Sequence, residues 1–130
     1  MIQVRAILPN PETDRNLSYT PAILVGGATR TLYVSGQVGM DLHGMTPPDF
    51  AAQCRQAWAN LSAVLAAAEM DLSHLVKLTV FLTDPAHYTE FVALRSAVLA
   101  AYKPASTLLI VAGLARPEWK IEIEAIAVAD

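Results

Sequence analysis

Residues Pro104–Val128 read PASTLLIVAGLARPEWKIEIEAIAV, and the fold turns on how this stretch is read. Two apolar runs, Leu108–Ala112 and Ile121–Val128, flank a connection carrying Gly113, Pro117 and Trp119, which predicts two strands joined by a short irregular loop. In the second run Ile121, Ile123 and Ala125 alternate with Lys120, Glu122 and Glu124. A strand's period of two puts both carboxylates on one face. Two acids on so apolar a strand either meet solvent or basic groups, or one of them lines a cleft as an acid, base or ligand anchor.

Working outward, the segment before this stretch supplies a strand and a helix. Leu75–Leu82 is apolar and β-branched enough for a strand, and Asp84-Pro85 caps a helix whose apolar stripe runs through Tyr88, Phe91, Leu94, Val98, Leu99 and Tyr102. Lys103-Pro104 ends it. Further upstream, Thr46-Pro47-Pro48-Asp49 combines a threonine cap, proline at the first helical position and an acid in the first turn. Phe50, Cys54, Ala57, Leu61, Val64, Leu65 and Ala68 then recur on one helical face. Cys54 on that face reads as a small core residue, since nothing near it in sequence would lower its pKa.

Towards the start, Tyr19–Val25 and Thr31–Val38 flank Gly26-Gly27 and predict a β-hairpin, while Met1–Val4 predicts an edge strand. Gly36 and Gly39, beside Ser35 and Gln37, allow close approach of another backbone or a ligand, or else mark a bulge or turn. The expected order is hairpin, helix, strand, helix, two strands: an α+β chain with a mixed sheet and both helices on one face. The opposite face is too apolar to meet water, and a subunit partner is its simplest cover.

With 130 residues the chain is expected to be one domain, residues 1–130, with a core that needs no staples. Its hydrophobic content of 54% favours burial between subunits. No uninterrupted apolar segment has the length of a membrane span, and the N-terminus lacks a signal-peptide pattern, so a cytoplasmic location is expected. The single cysteine agrees with a reducing compartment. A net charge of −3 without a basic run argues against nucleic acid. His43, His74 and His87 match no metal-ligand spacing, and no P-loop, dinucleotide fingerprint or nucleophile elbow is present, so neither metal nor cofactor is expected. The candidates for chemistry are Glu122 or Glu124 with the hydroxyls of Tyr19, Ser35, Ser106 and Thr107, because a carboxylate among hydroxyls can position and activate a water.

From Tyr19 to Val128 the chain resembles the RidA (YjgF/YER057c/UK114) family. The resemblance is carried by Ser18-Tyr19, Leu32-Tyr33-Val34-Ser35-Gly36-Gln37, Ala52-Gln53-Cys54-Arg55-Gln56-Ala57 with Asn60-Leu61, Val76 to Asp84, Pro104-Ala105 and Ile121 to Ala127. It implies a chorismate-mutase-like fold and a homotrimer around a central β-barrel. It also implies small-molecule clefts at the subunit interfaces, faced by Tyr19, Ser35 and Glu122. Members with deaminase activity hydrolyse enamines and imines such as 2-aminoacrylate to 2-keto acids and ammonia. They hold the substrate carboxylate with an arginine directly after the Pro-Ala pair and use a glutamate like Glu122 with a bound water. Here Ser106 stands at the arginine position, Leu108 where a cysteine or threonine is common, and Val92 where many relatives have asparagine. A guanidinium holds a carboxylate by charge and by a two-point fit, and a serine offers one neutral hydrogen bond. The expected cleft therefore comprises Glu122 as catalytic candidate and Tyr19, Ser35, Gly36, Ser106, Thr107 and Leu108 as ligand contacts. It favours a neutral or cationic ligand over an anionic imino acid. Arg5, Arg15 and Arg116 are the arginines that could replace the missing one in space.

Overall fold

The structure, a computed structural model, describes residues 1–130. Six strands, β1 (Gln3–Ile7), β2 (Ala22–Gly26), β3 (Arg30–Val38), β4 (Leu75–Leu82), β5 (Ala105–Ile110) and β6 (Ile121–Ala129), alternate with α1 (Pro11–Asp14), α2 (Phe50–Ala67) and α3 (Tyr88–Leu99). The main sheet has the order β3-β6-β4-β5. β6 is antiparallel to both of its neighbours and β4 runs parallel to β5, so the sheet is mixed as expected. The two strands of the C-terminal stretch do not touch, because β4 lies between them.

α2 and α3 cover one face. The side chains of Ile121, Ile123, Ala125 and Ala127 on β6 and of Leu78, Val80 and Leu82 on β4 meet Cys54, Ala57, Leu61 and Leu65 of α2 and Phe91 of α3 in one buried core. Truncating any of the wholly buried leucines to alanine costs about 2–5 kcal/mol, as transfer and cavity terms add. On the opposite face Glu124 and Tyr33 are exposed and Thr79, Phe81, Glu122 and Ile126 half-buried, and nothing in the chain covers them.

Three local expectations change. The hairpin between Tyr19–Val25 and Thr31–Val38 does not form: β2 pairs with β1, and β3 pairs with β6. The glycine turn does bend the chain, with Gly27 at φ 71° and packed so closely on the Met1 backbone that a Cβ would collide with its carbonyl oxygen. It hands the chain from a two-stranded ribbon to the main sheet instead of folding it back, and the apolar pattern alone does not name a strand's partner. The cap of α2 is Asp49, whose carboxylate accepts from the Ala52 N–H at 3.0 Å. Thr46 instead accepts from the Trp119 indole N–H at 3.3 Å, because Pro47-Pro48 keeps the intervening backbone extended. Of the stripe expected for α3, Tyr88 is exposed and Tyr102 lies exposed beyond the helix, while the buried positions are Phe91, Arg95 and Leu99. α3 also ends before Lys103-Pro104, at Ala100 with φ 52°.

Candidate functional site

β6 sets Glu122 and Glu124 side by side on the uncovered face, and the register separates their surroundings. Glu122 lies across from Phe81 on β4 and Val38 on β3, whereas Glu124 faces Thr79 and is exposed. Between Val34 and Gln37 the β3 register slips by one residue, a bulge containing Ser35 and Gly36. Gly36 is where this bulge meets the acid: a Cβ built there would lie 2.5 Å from both Cδ and Oε2 of Glu122. The carboxylate therefore rests against bare backbone, in space that any other side chain would fill. Glu122 forms no ion pair: no lysine or arginine nitrogen lies within 4.0 Å of its carboxylate, and the chain's one contact of this kind is that of His74 with Asp71. A half-buried carboxylate without a cation is an acceptor in search of a donor.

The remaining candidates lie elsewhere. Ser106 and Leu108 share the register of Leu78 and Val80, so their side chains point to the helix side, and Leu108 packs on the core. Thr107 points to the uncovered face, where its hydroxyl accepts from the Lys77 ammonium at 2.7 Å. Tyr19 is held at the start of β5, because the next residue, Thr20, bridges to Ala105 and donates its N–H to the Pro104 carbonyl at 3.3 Å. One chain thus assembles two separate groups: Glu122 with Ser35 and Gly36, and Tyr19 with Ser106. With β4 between β6 and β5, two strand spacings of roughly 10 Å and a change of face divide them.

Several of the residues quoted for the resemblance are structural. Gln53 is wholly buried, and its amide donates to the Pro47 and Glu118 carbonyls at 2.8 and 2.9 Å while accepting from the Lys120 N–H at 2.9 Å. Asn60 donates to the Val38 and Met40 carbonyls at 2.9 and 2.8 Å. Gly39 brings the chain so close to α2 that a Cβ would lie 2.6 Å from Cα, Cβ and O of Gln53. Together they pin α2 to the end of β3 and to the start of β6, which fixes the backbone just after Gly36 and just before Glu122. Cys54 is buried, and burial pushes its thiol up to about 11, so it is protonated and unreactive at neutral pH.

The family model described as Endoribonuclease L-PSP matches residues 12–129. The chain belongs to the RidA family. It is 38% identical over 113 residues to the 2-iminobutanoate/2-iminopropanoate deaminase of Rattus norvegicus, covering 85% of this chain and 80% of the relative. It is 35% identical, with 85% of each covered, to Protein DfrA of Myxococcus xanthus. Among solved structures, the Rid-family protein YyfB from Yersinia pestis, described as of unknown function, superposes with a TM-score of 0.86 at 30% identity, covering 97% of this chain and 98% of its own. RidA from an Antarctic Psychrobacter superposes with a TM-score of 0.74 at 32% identity over 88% of this chain and 90% of its own. The mixed α+β architecture read from the sequence is thus the RidA-family fold. No helix of the chain is long and apolar enough to cross a membrane.

One residue of functional interest escapes the sequence reading. Arg95 on α3 is only 6% exposed, its Nη2 donates to the Ser18 hydroxyl at 2.6 Å, and its guanidinium carbon sits 5.6 Å from the centre of the Phe91 ring. Burial lowers its pKa, although an arginine stays charged throughout the physiological range. The usable signal was its spacing four residues from both Phe91 and Leu99, the two wholly or nearly buried residues of the helix.

Proposed function

We propose that this RidA-family chain forms homotrimers whose subunit interfaces hold small-molecule clefts, and that these clefts do not carry out standard 2-imino acid deamination. In this reading the single RidA-like domain contributes Glu122, Ser35 and Gly36 from one subunit, and the neighbour contributes Tyr19, Ser106, Thr107 and Leu108. The uncovered, partly apolar sheet face supports the assembly, since it needs a cover that the chain does not supply. The separation of the two candidate groups within one chain supports a shared site. The observation that carries the reading is the unpaired Glu122 carboxylate resting on Gly36. With serine at position 106, no cation pairs with Glu122 within one chain, and the Lys77 ammonium on the same sheet face is bonded to the Thr107 hydroxyl, so a neutral or cationic ligand with a hydrogen to donate is favoured over an anionic imino acid.

A second reading is hydrolysis of an enamine or imine that lacks a carboxylate, with Glu122 positioning the attacking water. It is favoured by the deaminase names of relatives at 34–38% identity. The deciding experiment measures hydrolysis of 2-iminopropanoate and 2-aminoacrylate, generated in place, by the natural protein and by Ser106→Arg, with sedimentation confirming three chains per particle in both. We expect an inactive natural protein and an active variant. Activity in the natural protein would refute the role given to Ser106, and a monomer would refute the shared cleft.

A further inference from the structure

We propose that the cavity between the end of α3 and the Asn16–Ser18 segment is a binding site for a compact dianion, distinct from the Glu122 cleft. The cavity holds about 240 Å³, and its wall carries Arg95, Lys103, Asn16, Ser18 and Ser96 among its polar residues and no carboxylate.

Arg95 makes the case. A guanidinium carries five N–H donors and cannot shed its charge, so a nearly buried one calls for an anion or several acceptors. Here it makes a single hydrogen bond, to a neutral hydroxyl, and no ion pair. Phe91 lies near the guanidinium and contributes a modest cation–π attraction, but no hydrogen-bond acceptor. The carbonyls at the nearby helix end are already engaged: Ser96 accepts from the Ala100 N–H at 3.0 Å, and Leu99 from the Tyr102 N–H at 2.9 Å. None of the remaining guanidinium nitrogens is sealed in the interior without a partner, so these donors open onto the cavity that Arg95 lines.

The second charge comes from Lys103. It is exposed at the rim, where its ammonium donates to the Arg15 carbonyl at 3.2 Å, a bond easily exchanged for one to an anion. One fork-shaped and one point-like cation, with the hydroxyls of Ser18 and Ser96, suit a phosphate monoester or a small dicarboxylate. Ser18 directly precedes Tyr19, so occupancy bears on the backbone that positions a candidate cleft residue.

The test titrates the full chain with inorganic phosphate and, separately, with malonate at constant ionic strength, following backbone amides by NMR and the unfolding temperature. Saturable shifts at Ser18, Ser96 and Tyr102, with a rise in unfolding temperature, are expected for at least one of the two anions. The anion bound more tightly distinguishes the phosphate source from the carboxylate source. Lys103→Gln, at the exposed rim, is expected to weaken binding about tenfold, and Arg95→Gln to abolish it. Should Arg95→Gln fail to fold, Lys103→Gln alone decides. No saturable binding of either anion, or the same affinity in Lys103→Gln as in the natural protein, would overturn the proposal. So would a carboxylate of a second copy found seated on Arg95 in the assembled protein. None of these readouts uses Glu122 or Ser106, so the proposal stands or falls separately from the cleft.

Discussion

Two glycines three residues apart should respond to alanine in opposite ways. At Gly36 the added methyl would meet Cδ and Oε2 of Glu122 at 2.5 Å. Carbon contacts relax near 3.5 Å, so the carboxylate must retreat by about 1 Å. It is the free end of a flexible side chain with no ion pair to break, and the backbone of Gly36 is outside the left-handed region. A rotamer adjustment costs about 0.5–1.5 kcal/mol, and alanine returns about 0.4–1 kcal/mol by restricting the unfolded chain. The stability of Gly36→Ala should therefore stay within about 1 kcal/mol of the natural protein, while Glu122 is displaced. At Gly39 the methyl would meet Cα, Cβ and O of Gln53 at 2.6 Å, and two of those atoms are backbone. The helix as a whole would have to move, and overpacking of this kind costs about 1–3 kcal/mol or more. Urea denaturation of both variants measures the difference, and a crystal structure of Gly36→Ala locates the carboxylate. If Gly36→Ala loses as much stability as Gly39→Ala, or if Glu122 stays in place, the account of the bulge as a seat for this carboxylate is wrong.

Gln53→Leu removes three hydrogen bonds and leaves the Lys120 N–H and two carbonyls without partners, so a loss of about 3 kcal/mol is expected from the denaturation midpoint; less than 1 kcal/mol would show that water replaces the amide. Cys54 gives a pH signature. Its thiol is raised from 9.0 to about 11 in the folded chain, so between these values the unfolded chain releases a proton that the folded one keeps, and stability falls as pH rises. The contribution approaches about 1.4 kcal/mol per pH unit at most. Cys54→Ala should flatten that part of the profile, and an unchanged alkaline slope would refute the assignment.

The architecture was legible because periodicity reports which face of an element is buried. Ile121, Ile123 and Ala125 against Glu122 and Glu124, and Phe50 through Leu65 at helical spacing, both survive in the fold. Strand partnership was not legible, as β1 and β2 show: pairing depends on contacts remote in sequence, and the glycines at the turn permit several directions of exit. Nor were Gln53 and Arg95, because a buried polar residue looks like a surface one until its partners are known. The candidate site was half legible. The two carboxylates fell on one face as read, but their cross-strand neighbours and the bulge at Ser35-Gly36 make Glu122 differ from Glu124, and a one-residue slip leaves no periodic trace.

The position of β6 in the sheet has a bearing on how the chain is made. It pairs Ile126 and Ala129 with Tyr33 and Arg30 on one side and lines up with β4 on the other, yet it follows every other strand in chain order. While the ribosome is still adding residues before Ile121, β3 and β4 have no middle strand, and both present open edges that another nascent chain could join. Completion of the sheet waits on the pairing of Arg30 with Ala129, a closure spanning most of the chain, and contacts so remote in sequence are slow to form. A polysome crowded with half-made copies is therefore the setting in which these open edges are most exposed to pairing between chains.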